Sequence, residues 1–331
     1  MIKILLFVGI LIFNSQVYAR DFSKDAVPEV ELSPLCFDLL KNRFKISADQ
    51  ELALEDCVAK YYEKLHSYNA YTYAAKNDEV KFATNARVFR NGNNKITAIV
   101  AGKEGLIGGE LCTLDGLPKR IFTYEAPLSA DIFASMLWKN NINTYVTLVN
   151  EKDNHEAKLQ VYRGLTVFQT DLNFLDKMAK QSFSYEFKVV GLKTLYSDKN
   201  IDVLQATLQR FNKKRTVIQI KYKTWIDDTA ISMPELTKLA KIIDKYSIGD
   251  AIGVNCFAGL HRTKTTVLSY YLHYLNNKGV NIDVQKALEH FNDEVFNDDV
   301  KKYGEQAPAW QDPNKGQYKL LIDFSNSLAK K

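Results

Sequence analysis

The stretch AIGVNCFAGLHRTKTTVLSYYLHYL, residues 251–275, constrains the fold more than any other part of the chain. Its apolar start reads as a short buried strand, whereas Val267, Leu268, Tyr271, Leu272 and Leu275 fall on one face of a helix. The loop between them therefore stands at a helix N-terminus. Backbone N–H groups that lack intrahelical partners point out there, together with the positive end of the helix dipole, and form a cradle for an anion. Gly259 permits the tight turn that aims successive N–H groups inward.

The side chains of this loop then take on chemistry. Cys256 faces the positive end, where thiolate is favoured over thiol, and so reads as a nucleophile. Arg262 supplies a planar fork matched to two phosphate oxygens, and the Thr263 hydroxyl can stabilise the thiolate and help it leave. The backbone from Phe257 through Ala258, Gly259 and Leu260 to His261 lines the cradle, and Lys264 adds a further cation. The set describes a phosphate-monoester site, in which sulfur attacks in line while amides and guanidinium hold the phosphoryl group. A nucleotide-binding loop of the Walker type is excluded, because its glycine spacing and Gly-Lys pair are missing.

The rest of the chain supplies an α/β setting. From about Ser47 to Lys76 the residues Leu52, Leu54, Cys57, Val58, Tyr61, Tyr62 and Leu65 recur at helical spacing, which predicts one or two amphipathic helices. RVFRNGNNKITAIVAG sets two alternating runs around Asn91-Gly92, as a β-hairpin does. Beyond Pro127 a helical SADIFASMLWKN precedes the strand-like INTYVTLVN, SYEFKVVGLKTLY and TVIQIKYKTW. Helices follow over Ser232–Tyr246, where Ser232, Pro234 and Glu235 make a capping box with proline in the first turn, and over Thr263–Asn276. Interleaved strands and helices predict a mixed sheet covered by helices. With no repeats and no linker rich in Pro, Gly and Ser, one decorated domain is expected.

The first nineteen residues, MIKILLFVGILIFNSQVYA, combine one lysine, a short apolar run and a small-residue end at Ala19, the pattern of a secretory signal peptide. The run is too short for a comfortable membrane span of about 20 residues, so no stable membrane insertion is expected once it is cleaved. The formal charge of +5 is spread along the chain, which suits an anionic substrate but draws no nucleic-acid stripe. The four cysteines, at 36, 57, 112 and 256, form no metal-ligating pattern, and none of the five histidines falls in one; no metal and no cofactor are expected. In an oxidising compartment Cys36 and Cys57 can pair. Spacing alone leaves the pairing among Cys36, Cys57 and Cys112 open.

The loop Cys256, five residues, Arg262, Thr263 resembles the signature of the cysteine-dependent protein tyrosine phosphatases. VIQIKYKTWIDDTAISMPE resembles that family's acid-loop segment, with Tyr222, Trp225, Asp227 and Pro234 at the matching places. The resemblance implies that Asp227 protonates the leaving phenolate and then activates water, with Asp228 its near competitor, and that Trp225 borders the substrate. Weaker matches are Glu151, Lys158 and Tyr162, of which Lys158 would lie near the substrate. In KGQYKLLIDF, Gln317 would position the hydrolytic water, with Gln311 a rival. KNRF, residues 41–44, is similar to the family's substrate-recognition motif, with Phe44 in place of a stacking Tyr and about 40 extra residues before the next match.

The implied fold is a twisted, highly mixed β-sheet flanked by helices on both sides. The implied organisation is a signal peptide over 1–19, an added N-terminal helical region over 20–83 and a catalytic domain over 84–331. Departures from the family pattern are Asn255 where His is usual, Ile226 in place of the acid-loop proline, and His261 and Lys264 where glycine is usual, the last two adding charge at the pocket mouth. The expectation is a metal-independent, secreted or periplasmic tyrosine phosphatase, of a kind that suggests a bacterial protein delivered to a host. Its partner would be a phosphotyrosine protein. The alternatives are a phosphatase of inositol polyphosphates or phosphoinositides, which extra cations would suit, and a phosphotyrosine-binding pseudophosphatase.

Overall fold

The computed structural model describes residues 33–57, 73–74, 80–82, 95–100, 103–112, 114–125, 130–148, 186–226, 229–256, 259, 261–280, 282–290 and 316–329. The signal-peptide pattern, the Asn91-Gly92 turn, the Glu151–Tyr162 match and Gln311 lie outside these residues.

The described strands form one ten-stranded sheet. They are β1 (Tyr73–Ala74), β2 (Val80–Phe82), β3 (Lys95–Val100), β4 (Lys103–Cys112), β5 (Arg120–Glu125), β6 (Thr144–Thr147), β7 (Phe187–Ser197), β8 (Ile201–Arg210), β9 (Lys213–Tyr222) and β10 (Ala251–Cys256). Their order is β1-β2-β4-β5-β10-β6-β9-β8-β7, with β3 also paired to β4. The centre, β5-β10-β6-β9, is parallel, and antiparallel pairs flank it on both sides. Parallel strands must be covered on both faces, and their near-continuous apolar runs record that; every residue of β10 is buried.

The helices divide between the faces. Helix α2 (Ala130–Lys139) packs Phe133, Met136 and Leu137 with Tyr124, Tyr145 and Val217 on one face. On the other face lie α3 (Met233–Tyr246), α4 (His261–Asn277) and α6 (Gly316–Leu328), with the short α5 (Val284–His290) beside α4. Two-residue alternation assigns the strand side chains. Ile218, Ile220 and Tyr222 of β9, and Ile252, Val254 and Cys256 of β10, all face the α3–α4–α6 layer. Helix α3 starts where the sequence places it. Ser232 is its N-cap, its hydroxyl accepts from the Glu235 N–H, the Glu235 carboxylate reaches back to the Ser232 N–H, and Pro234 sits in the first turn.

The N-terminal region differs from expectation in two ways. A helix α1 (Pro34–Asn42), a 3-10 turn at Ala48–Gln50 and helical residues 51–57 are present, with Leu54 buried but Leu52 78% exposed. Helical character does not run through to Lys76. Tyr73–Ala74 and Val80–Phe82 are strands, paired antiparallel with each other, and β2 lies parallel to β4. The chain also reverses between Val100 and Lys103 to pair β3 with β4. Strand β8 was not predicted.

Cys36 and Cys57 form a disulfide that closes the helical unit. This unit docks on the outer strands. Gln209 donates to the Phe44 carbonyl (3.1 Å), Lys213 pairs with Glu51 (2.8 Å), Arg210 pairs with Glu55 (3.1 Å), and the Lys188 ammonium lies 4.3 Å from the Phe44 ring centroid. Replacing Cys57 by Ser is expected to lower stability by about 3 kcal/mol, the chain-entropy value for a 21-residue separation. Urea unfolding should move to lower concentration, with earlier proteolytic cleavage in residues 33–57.

Candidate active site

Strand β10 ends at Cys256, and helix α4 begins five residues later at His261. Between them Gly259 has φ +71°, the left-handed conformation that glycine adopts without a Cβ penalty. The strand–loop–helix context expected from the sequence is therefore present. Cys256 is 3% exposed and points toward the α3–α4–α6 layer. Arg262 and Thr263, in the first turn of α4, are both fully buried. The Thr263 Oγ1 makes no hydrogen bond among the described residues.

Arg262 reaches across to a second segment. Its Nη1 donates to the Trp225 carbonyl at 2.9 Å, so the start of α4 is tied to the residues that follow β9. Trp225 is itself buried and packs edge-to-face on Tyr222, with centroids 5.8 Å apart. Burial pushes the Tyr222 phenol well above its usual range, and the nearby Glu235 carboxylate adds to that shift, so the ring stays neutral. The Trp225 indole donates to the Thr229 carbonyl (2.9 Å), while the Thr229 N–H and hydroxyl both donate to the Ile226 carbonyl (3.3 and 2.6 Å). These bonds tie Thr229 to Trp225 and Ile226 although the usual proline is absent. Asp227 and Asp228 lie between them, outside the described residues, as do Phe257, Ala258, Leu260 and Lys158.

A third element closes the arrangement. Gln317, in the first turn of α6, is 4% exposed, donates from Nε2 to the Thr229 carbonyl (2.9 Å) and accepts from the Thr265 hydroxyl (2.8 Å). The Thr265 proton is shared, since the same oxygen lies 2.9 Å from the His261 carbonyl. Gln317 thus belongs to this site, and both ends of its amide meet protein groups. Thr229 and Thr265 were not singled out from the sequence, where no local pattern marks either as part of the site.

Three sequence expectations are modified. Lys264 is 2% exposed, so it does not stand at an open mouth, whereas His261 is partly exposed. Asn255 lies on the opposite face of β10 from Cys256, where its Oδ1 accepts from Thr147 (3.3 Å). Phe44 is remote. Gln209, which holds it, pairs with Lys214, four residues before Ile218; Ile218 lies level with Thr144 and Ile252, four residues before Cys256. Eight residues of strand separate the two levels by about 25 Å, so KNRF does not border the Cys256 site.

Cys256, Arg262, the Trp225–Thr229 segment and Gln317 come together at the carboxyl ends of the parallel strands, where open α/β sheets place their ligands. A buried cysteine at a strand end is thus followed by a buried arginine in the first turn of the next helix. The comparisons name the family. The protein-tyrosine phosphatase profile matches residues 107–295, more than half of the sequence, and the chain belongs to that family.

A search of curated proteins gives no match. Among solved structures, one of PTPN18, concerned with its fingerprint on distinct HER2 tyrosine phosphorylation sites, is similar at TM-score 0.52 and 16% identity, over 85% of this chain and 94% of the other. The catalytic domain of human protein tyrosine phosphatase non-receptor type 18 is similar at TM-score 0.50 and 17% identity, over 84% and 96% of the two chains. At these identities the likeness concerns the fold.

Replacing Gln317 with Ala removes two hydrogen bonds that join α6 to Thr229 and Thr265. A loss of about 1–3 kcal/mol is expected, measurable as a lower thermal midpoint.

Proposed function

We propose that this protein is an exported protein tyrosine phosphatase that works through a phosphocysteine intermediate and needs no metal. The observation that carries the reading is the pairing of Cys256, at the end of β10, with Arg262, buried on the first turn of α4 and bonded to the Trp225 carbonyl. Family membership over residues 107–295 supports it. The Cys36–Cys57 disulfide supports export, because such bonds persist in oxidising compartments. Residues 1–19 then serve as the signal peptide, residues 20–83, with the disulfide-closed unit, as an N-terminal extension, and residues 84–331 as the catalytic domain.

In the proposed reaction the Cys256 thiolate attacks phosphorus as the phosphorus–phenolic oxygen bond breaks. Asp227 gives its proton to that oxygen, so tyrosine leaves neutral. Arg262 and the loop amides hold the phosphoryl oxygens through the transition state. Water then attacks the phosphocysteine, its proton passes to Asp227, and the sulfur–phosphorus bond breaks to release phosphate and the thiolate. The Thr263 hydroxyl is available to stabilise the departing sulfur. Lys264 is buried, which removes one of the two exposed cations that would favour an inositol polyphosphate.

With chelator present, residues 20–331 should hydrolyse phosphotyrosine peptides faster than inositol hexakisphosphate or phosphoinositides. Cys256→Ser should abolish turnover and retain peptide binding. Asp227→Asn should slow peptide hydrolysis by about 10²-fold or more, with Asp228→Asn much less affected. No Cys256-dependent turnover of any of these substrates in reducing buffer would overturn the proposal and leave a phosphotyrosine-binding module.

A further inference from the structure

The turn between β7 and β8 lies against both ends of the segment that carries Trp225 and Asp227. Asp198 shapes the turn: its Oδ1 accepts from the Asn200 and Ile201 N–H groups (2.8 and 2.7 Å), and its Oδ2 accepts from the Tyr196 hydroxyl (2.6 Å) and from Lys238 of α3. Burial alone would raise the Asp198 carboxyl, but the bonds from Lys238, Tyr196 and the two amides outweigh it and hold it well below the usual carboxylate range. Asp198 therefore holds these donors as a carboxylate.

Within this turn Asn200 makes contacts in two directions. Toward the upstream end of the segment, its carbonyl accepts from the Lys223 N–H (2.8 Å) and its Oδ1 accepts from the Thr224 hydroxyl (3.0 Å). The Lys223 ammonium adds bonds to the Asp198 carbonyl (2.7 Å) and to Asp202 (2.8 Å). Toward the downstream end, the Asn200 Nδ2 donates to Glu235 Oε1 at 2.6 Å. The other oxygen of Glu235 accepts from the Ser232 N–H and hydroxyl (3.0 and 2.8 Å) in the cap of α3. One side chain thus spans residues 224 and 235. The job demands an amide, because a carboxylate has no proton for Glu235 and an alkyl group meets neither neighbour.

A general acid works only within hydrogen-bond reach of the departing oxygen, and an ångström of misplacement far from the chemistry costs about 10²-fold. We infer that Asn200 is a positioning residue for proton transfer to the leaving group, acting by fixing both flanks of the segment that carries Asp227. This rests on the reading of Asp227 as general acid. Among the described residues, the bonds of Asn200 run to Asp198, Lys223, Thr224 and Glu235 and to none of Cys256, Gly259 and Arg262. Its loss should therefore leave the phosphate cradle and KM intact and slow only those esters whose leaving group needs a proton.

The test compares wild type and Asn200→Ala on aryl phosphates of decreasing phenol pKa, from phosphotyrosine peptide and phenyl phosphate to 2,4-dinitrophenyl phosphate. The expected result is a fall in kcat of about tenfold or more for the first two, little change for the last, and an unchanged KM. Asn200→Asp, which sets a carboxylate against Glu235, should behave similarly. Combining it with Glu235→Gln returns a donor–acceptor pair of swapped polarity, keeps the cap of α3, and should restore kcat on phosphotyrosine. A loss equal across all leaving groups, no loss, or no recovery in the double variant would overturn the inference. A wild-type enzyme inactive on every ester would instead overturn the reading of the site, and the inference with it.

Discussion

The hydrogen bond from the Arg262 guanidinium to the Trp225 carbonyl is the contact on which the site's assembly depends. Arg262 is fixed by the helix that follows β10, and Trp225 by the strand β9 two places away in the sheet. Nothing in the covalent chain brings them together except the fold. Removing a guanidinium from water costs several kcal/mol, and here it is done next to a helix N-terminus that already carries partial positive charge. The same bond holds Trp225, in the segment after β9, against the first turn of α4.

The sheet accounts for why the site stands at this end of the molecule. β5, β10, β6 and β9 run parallel, so their carboxyl ends emerge together: Asn255, just before Cys256, lies in register with Thr147 and Lys221, and Cys256 with Glu125. The disulfide-closed unit docks at the opposite end, on Gln209, Arg210 and Lys213. That separation sets the described residues of the unit apart from Cys256, at the other end of the strands.

Much of this was legible in the sequence where local chemistry and periodicity coincide. The β10–loop–α4 stretch, the capping box at Ser232 and the buried face of β9 are written in short-range patterns, and each was found where expected. What failed depended on long-range pairing. The strands β1 and β2 are too short to carry a period, and Leu52, two residues from Leu54 and so on the other side of the helix, is exposed where Leu54 is buried. KNRF matched by composition, but register removes Phe44 from the site. Thr229, Thr265 and Asn200 could not be read at all, because their roles come from partners 88, 52 and 35 residues away.

The replacement of the acid-loop proline by Ile226 ties these points together. Proline stiffens a turn by restricting φ before folding begins; isoleucine does not, and here its side chain is half exposed and adds little packing. The segment must then be held from outside. On its inner side Arg262 fixes Trp225, and the indole and Gln317 both fix the Thr229 carbonyl. On its outer side Asn200 joins Thr224 to Glu235. Each bond alone contributes about 1 kcal/mol, too little to impose one conformation, but bonds that share a short segment reinforce one another because each lowers the entropy left for the next to remove. In this chain the rigidity that proline would build into one residue is distributed over α4, α6 and the β7–β8 turn.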